Sequence, residues 1–173
     1  MEYFLRPATL DDTAAIAEIN VIVWKATYPG ILPQDYLDRL TVEDKLAHYE
    51  QRLRRHPLPL VVEDSVGRIV GYSIFELRSE TEEYTAELTA LAVLPELQGQ
   101  GLGKRLLKAT AKVLHAERHR NFCTWVLKEN ILARAFYEHC GGVFAGEKTF
   151  EIDELTIPEV CYGLLDMADL LDE

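Results

Sequence analysis

Glu87 to Arg105 reads E-L-T-A-L-A-V-L-P-E-L-Q-G-Q-G-L-G-K-R: an apolar strand, a proline break at Pro95, then alternating glycines that open a cationic helix. Gly99, Gly101 and Gly103 are the residue type that lets a backbone turn into left-handed or otherwise strained conformations. Successive N–H groups can then converge on an anion where the following helix begins. The stretch reads as a metal-free phosphate cradle at a strand-to-helix junction.

Working outward, the apolar runs switch period. Before the cradle, Leu58–Glu63 and Arg68–Leu77 are β-branched runs separated by Asp64-Ser65-Val66-Gly67, a hairpin signal, and Thr85–Leu94 is a third strand, so the three predict an antiparallel meander. Upstream, Thr9 with Asp12 opens a helix whose stripe is Ala15, Ile16, Ile19, Ile22 and Val23, ending before Pro29-Gly30. Pro33 opens a short helix through Leu40, and Thr41 with Asp44 caps a third to about Arg55, closed by His56-Pro57. Downstream come a helix from about Gly101 to Glu117, a strand over Phe122–Leu127 and a helix over Ile131–His139 ended by Gly141-Gly142. The last two strands are read at Val143–Lys148 and Glu159–Leu164. The expectation is one mixed α/β domain over residues 1–173.

Composition narrows the function. A chain of 173 residues with net charge −11 lacks the basic footprint that nucleic acid or an anionic membrane requires as main partner. No apolar run approaches the roughly 20 residues of a membrane span, and the N-terminus lacks a secretory pattern, so a cytoplasmic location is expected. Cys123, Cys140 and Cys161 have no metal-ligand spacing and read as buried free thiols. His115 and His119 stand four apart with no third ligand nearby, so no metal is expected. The charge is uneven: residues 98–134 carry +6, which leaves −17 elsewhere. A basic island in an acidic protein fits a polyanion held on one face and a cationic partner favoured elsewhere. Lys108, Lys112 and Arg118 also fit the solvated face of an amphipathic helix.

Two better-known phosphate loops fail. A P-loop needs four residues between its glycine and the Gly-Lys pair, with a hydroxyl next for magnesium; here three residues separate Gly99 from Gly103-Lys104, and Arg105 follows. The dinucleotide fingerprint G-x-G-x-x-G has a different spacing and follows the first strand of a βαβ unit. What fits is Q-x-x-G-x-G over Gln98 to Gly103, preceded by L-A-V-x-P and followed by N-x-x-A-x-x-x-Y at Asn130, Ala133 and Tyr137. Together these segments closely resemble the GNAT superfamily of acetyl-CoA-dependent N-acetyltransferases. The flanks Trp24 to Pro33 and Tyr137 to Glu147 resemble a bacterial subgroup of it.

The resemblance implies a GNAT-type fold: a central, mostly antiparallel twisted sheet of about six or seven strands, flanked by helices and splayed at the cofactor-binding strand. It implies that the pyrophosphate of acetyl-CoA lies on Gln98, Gly99, Gln100, Gly101, Leu102, Gly103 and Lys104. The pantetheine arm would pair with main-chain groups of Leu91, Ala92 and Val93 and with Asn130. Ala133 and Phe136 would pack on the cofactor, and Arg134 would reach a phosphate. Tyr137 would protonate the departing thiolate, and Glu87, eleven residues before Gln98, would deprotonate the amine.

The acceptor is expected to be a small-molecule, polyamine or peptide amine, drawn by a negative rim of Glu80, Glu82, Glu83 and Glu87 with Tyr84 interleaved. Trp24 and Tyr28 would line its pocket and hold an ammonium by cation–π contact. No cysteine falls in a nucleophile motif, which favours direct attack in a ternary complex. A homodimer through the C-terminal strands is a further expectation. The alternative is a non-catalytic acyl-CoA-binding sensor on the same scaffold, a reading disfavoured by the intact Tyr137.

Overall fold

The computed structural model describes residues 2–55, 57–79, 82–152 and 154–164. His56 and Glu80, both used in the sequence reading, lie outside the described residues. The elements in chain order are β1 (Tyr3–Pro7), α1 (Thr13–Thr27), α2 (Gln34–Arg39), α3 (Val42–Leu53), β2 (Leu60–Asp64), β3 (Ile69–Leu77) and β4 (Ala86–Val93). After these come α4 (Leu102–Ala116), β5 (Phe122–Leu127), α5 (Ile131–His139), β6 (Val143–Ile152) and β7 (Leu155–Leu164). One seven-stranded sheet runs β1-β2-β3-β4-β5-β7-β6. The pairs β1–β2, β2–β3, β5–β7 and β6–β7 are antiparallel, and β4 with β5 runs parallel.

The chain divides into two compact units: residues 1–75 with 90–110, and residues 76–89 with 111–173. The first holds α1, α2 and α3, the edge pair β1 and β2, and the glycine loop. Its β2–β3 turn forms as the sequence predicts, with the Asp64 carboxylate accepting from the N–H groups of Val66 and Arg68 at 3.0 and 2.9 Å. Thr41 caps α3 by accepting from the Asp44 N–H. At the chain start the Arg6 guanidinium bridges Asp12 and Glu63, at 2.7 and 2.8 Å, and holds the Asp12 carboxyl below the usual carboxylate range. Between helices and sheet, Tyr72 is fully buried and bonds Asn20 and Tyr49 through its hydroxyl.

Three expectations need correction. Tyr3–Pro7 is a strand the sequence reading did not include; it pairs antiparallel with β2. The helix expected from Thr9 begins as a single 3-10 turn at Leu10–Asp12 before α1. The last two strands are longer than expected, pairing from Val143 with Gly163 to Ile152 with Leu155, with a register shift between Phe144 and Gly146.

Gly71, on β3 in the first unit, is required by a close approach. A Cβ there would stand 2.8 Å from the Ala92 carbonyl oxygen and 3.2 Å from a Val93 methyl. Backbone cannot yield as a flexible side chain does. Gly71→Ala is expected to cost about 1–3 kcal/mol, read as a lower midpoint in denaturant unfolding. An unchanged midpoint would refute the close approach.

Candidate functional site

In the first unit, β4 ends at Val93, a 3-10 turn covers Pro95–Leu97, and the loop enters α4 at Leu102. Gly99 and Gly101 take φ of +73° and +81°, the left-handed region that favours glycine. Gly103 does not; it lies inside α4, so the expectation of a strained third glycine is corrected. No heavy atom stands within 4 Å of where a Cβ would project from Gly99 or Gly101, so the loop opens outward. The first α-helical bond runs from the Arg105 N–H to the Gly101 carbonyl at 3.0 Å. A helix cannot itself bond the N–H groups of its first turn, which is what makes a helix start attractive to an anion.

Two side chains brace this loop. Gln98 donates its amide to the Val93 carbonyl at 3.0 Å, tying the loop back to the end of β4. Arg105 donates to the Tyr3 carbonyl at 2.9 Å, so the residue standing where a P-loop keeps its magnesium hydroxyl ties β1 to α4. Leu102 is buried as an anchor, Gln100 is exposed and Lys104 is half-buried. On β4, Ala92 and Val93 are buried and Leu91 is half-buried.

The same unit carries Trp24 and Tyr28 at the end of α1, with ring centroids 5.1 Å apart edge to face. The Lys45 ammonium lies 5.4 Å from the Trp24 ring. A separate recess of about 320 Å³ is lined by Asp11, Glu18, Arg68, Ile19 and Leu94 among others, and none of the expected cofactor, acceptor or catalytic residues lines it.

In the second unit, Asn130 is the N-cap of α5: its side-chain oxygen accepts from the Ala133 N–H at 3.1 Å. The N-x-x-A spacing therefore has a local cause, a cap bonded three residues on. Helix α5 closes with the Gly141 N–H on the Glu138 carbonyl and the Gly142 N–H on that of Tyr137, at 3.1 and 2.8 Å, a Schellman motif. A Cβ at Gly142 would meet that Tyr137 carbonyl at 2.8 Å. Tyr137 is thus held at the last turn, 6% exposed, with its ring 6.4 Å from that of Tyr162 on β7 and nearly parallel to it.

Phe136 also meets Tyr137 edge to face, with ring centroids 5.1 Å apart. The Tyr162 hydroxyl donates to Glu138 at 2.5 Å and accepts from Arg134 at 3.1 Å. Burial pushes the Tyr162 phenol up. Arg134 also donates to the Lys128 carbonyl at 3.0 Å, so its guanidinium is engaged within the unit.

The second unit also carries Glu87. It stands opposite Cys123 across the parallel pair, and its Oε2 is held by Arg78 in an ion pair, with the side chain 14% exposed. Tyr84 lies over Gly163, where any Cβ would collide with its phenol, and burial pushes that phenol up. Cys123 and Cys161 are buried free thiols; their hydrogen bond to each other raises Cys123 and lowers Cys161. Glu82 pairs with Arg78 at 3.1 Å, while Glu83 is exposed and its carbonyl accepts from Asn121. Arg78, Tyr162 and Glu138 escaped the sequence reading because their partners depend on strand register. Among the described residues no cluster of three His, Cys, Asp or Glu could hold a metal ion, and no helix is long and apolar enough to cross a membrane.

Comparison with known proteins places this geometry. The sequence model of the acetyltransferase (GNAT) family matches residues 22–142. The N-acetyltransferase YuaI of Bacillus subtilis (strain 168) is 32% identical over 169 residues, covering 96% of this chain and 95% of its own. Among solved structures, yncA of Salmonella typhimurium with its cofactor acetyl-CoA superposes with a TM-score of 0.72 at 22% identity, over 100% of this chain and 96% of that one. The PaiA N-acetyltransferase of Thermoplasma acidophilum in complex with coenzyme A gives 0.69 at 21%, over 92% and 98%.

Proposed function

The chain belongs to the GNAT acetyltransferase family, and from that premise we propose that it moves an acetyl group from acetyl-CoA to a primary amine by direct attack in a ternary complex. The observation that carries the reading is the glycine loop, with left-handed backbone at Gly99 and Gly101 opening into the start of the 15-residue α4. Amide donors and a helix dipole hold a pyrophosphate without a metal. The cradle is assigned to Gln98–Lys104. The pantetheine arm is assigned to the main chain of Leu91, Ala92 and Val93 and to Asn130, with Ala133, Arg134 and Phe136 as further donor contacts.

Acetyl-CoA supplies the activated acetyl group. Glu87 takes the proton that an ammonium must lose before its nitrogen can attack. Arg78 keeps Oε2 of this carboxylate occupied, so Oε1 is assigned the proton. Tyr137 returns a proton to the departing sulfur. Trp24 and Tyr28, and separately Glu83 and Tyr84, are assigned to acceptor binding. Residues 1–173 are read as one catalytic domain acting in the cytoplasm, a compartment suited to three buried free thiols. A homodimer through the C-terminal strands is supported by β6, an end strand of the sheet with Val143 and Phe144 exposed.

The test is release of free CoA thiol from acetyl-CoA across polyamines, aminoglycosides, amino acids and peptide N-termini. Release with one class identifies the acceptor; acetyl-CoA binding with no release from any amine returns the chain to a binding-only role. Glu87→Gln is expected to lower kcat by about ten- to a hundredfold, with the loss concentrated at low pH. An unaltered pH–rate profile assigns the base to water.

A further inference from the structure

On the second unit, strand registers place a row of groups on one face of the sheet. Glu87 stands opposite Cys123, Cys123 opposite Gly163, Trp125 opposite Cys161, and Glu159 opposite Lys148. Residues two apart on a strand share a face, so Glu87, Cys123, Trp125, Cys161, Glu159 and Lys148 all do. Tyr84 joins them, because its phenol sits where a Gly163 side chain would project.

Trp125 is half-buried, and the Lys148 ammonium lies over it, 4.2 Å from the ring centroid. The same ammonium is 3.7 Å from the Glu159 carboxylate, whose side chain is only 13% exposed while that of Lys148 is 47% exposed. Burial pushes the Glu159 carboxyl up, and Lys148 pulls it back down. An aromatic face and a half-desolvated carboxylate make a receptor for an alkylammonium. Here that receptor is filled by a mobile side chain type reaching in from solvent.

We propose that Trp125 and Glu159 form a second alkylammonium subsite, occupied in the free protein by Lys148, so that the preferred acceptor carries a second positive charge a few carbons from the amine to be acetylated. This rests on the reading of Glu87 as the base of an acetyl transfer. One strand across and two residues along separate the backbone of Glu87 from that of Trp125, about 8 Å. A short diamine spans such a gap. Lys148 then acts as a competitor that an acceptor with one charge cannot displace and one with two can. The acidic balance of the chain outside residues 98–134 favours the same ligand.

The experiment compares 1,4-diaminobutane with butylamine on the full chain with CoA bound, by calorimetry and by thiol release from acetyl-CoA. Lys148→Met keeps the aliphatic stem and removes the competing charge. It is expected to tighten diamine binding about three- to tenfold and to leave butylamine unchanged. Glu159→Gln and Trp125→Leu are expected to erase the preference for the diamine. If Lys148→Met leaves diamine affinity unchanged, or tightens both amines equally, the subsite is overturned whether or not the Trp125 variant folds. Diamine binding that follows these variants without thiol release supports the subsite and sinks the acetyl-transfer reading instead. Thiol release with no distinction between the amines does the reverse.

Discussion

Gly101→Val is expected to cost the chain most of its affinity for acetyl-CoA while leaving it folded. The wild-type backbone at this position has a φ of +81°, a conformation in which a β-branched residue is a steric outlier. Beyond the adjacent residues, nothing lies within 4 Å of where the new Cβ would stand, so the expected cost is backbone strain of about 1–2 kcal/mol rather than a collision in the core. A stable domain withstands that. The cradle does not, because relieving the strain turns the amides away from their common focus and the valine methyls enter the space an anion would use. Calorimetry with acetyl-CoA is expected to show affinity lowered by about a hundredfold or more, equivalent to the loss of two or three charge-assisted hydrogen bonds. Circular dichroism should remain native. Unchanged affinity in a folded variant removes the pyrophosphate from this loop.

Tyr137→Phe is expected to lower kcat by about a hundredfold to ten-thousandfold with little change in acetyl-CoA affinity. The substitution is suited to the question because it keeps the ring and the backbone. The stack on Tyr162, the packing of Phe136 and the closure of α5 onto the Tyr137 carbonyl involve ring or backbone, not the hydroxyl. A fall confined to kcat therefore reports the lost proton donor. Full activity removes Tyr137 from the mechanism, and a rise in KM for acetyl-CoA alone makes it a binding residue.

What the sequence made legible was local. The β2–β3 turn and the Thr41 cap each depend on residues within a few positions of one another and formed as read, and the glycine loop took left-handed backbone at Gly99 and Gly101 but not at Gly103. Strand β1 was missed because it has five residues, ends in proline and exposes Phe4, so its alternation is too short to register. The outer half of the β6–β7 hairpin was missed although Phe150 and Ile152, and Leu155 and Ile157, alternate with other residues, because each run is only four residues long. Glu87 stands out by its spacing from the loop, whereas its partner Arg78 does not. That contact depends on how β3 and β4 align, which no periodicity within one strand encodes. Gly71 is similar: its need for a bare backbone comes from Ala92, twenty-one residues away. Asn130 shows the converse, a motif residue whose position also has a purely local explanation as a helix cap.

The two tryptophans give the chain its own optics. Trp24 belongs to the first compact unit and Trp125 to the second, and each indole has a lysine ammonium over its ring. Replacing either with phenylalanine leaves a single tryptophan, assigned to a single unit, whose emission can be excited selectively over that of the tyrosines. Emission from one such variant follows the glycine-loop half of the molecule, and emission from the other follows the Tyr137 half. Overlaying the two denaturation curves then reads directly whether the halves melt as one cooperative block.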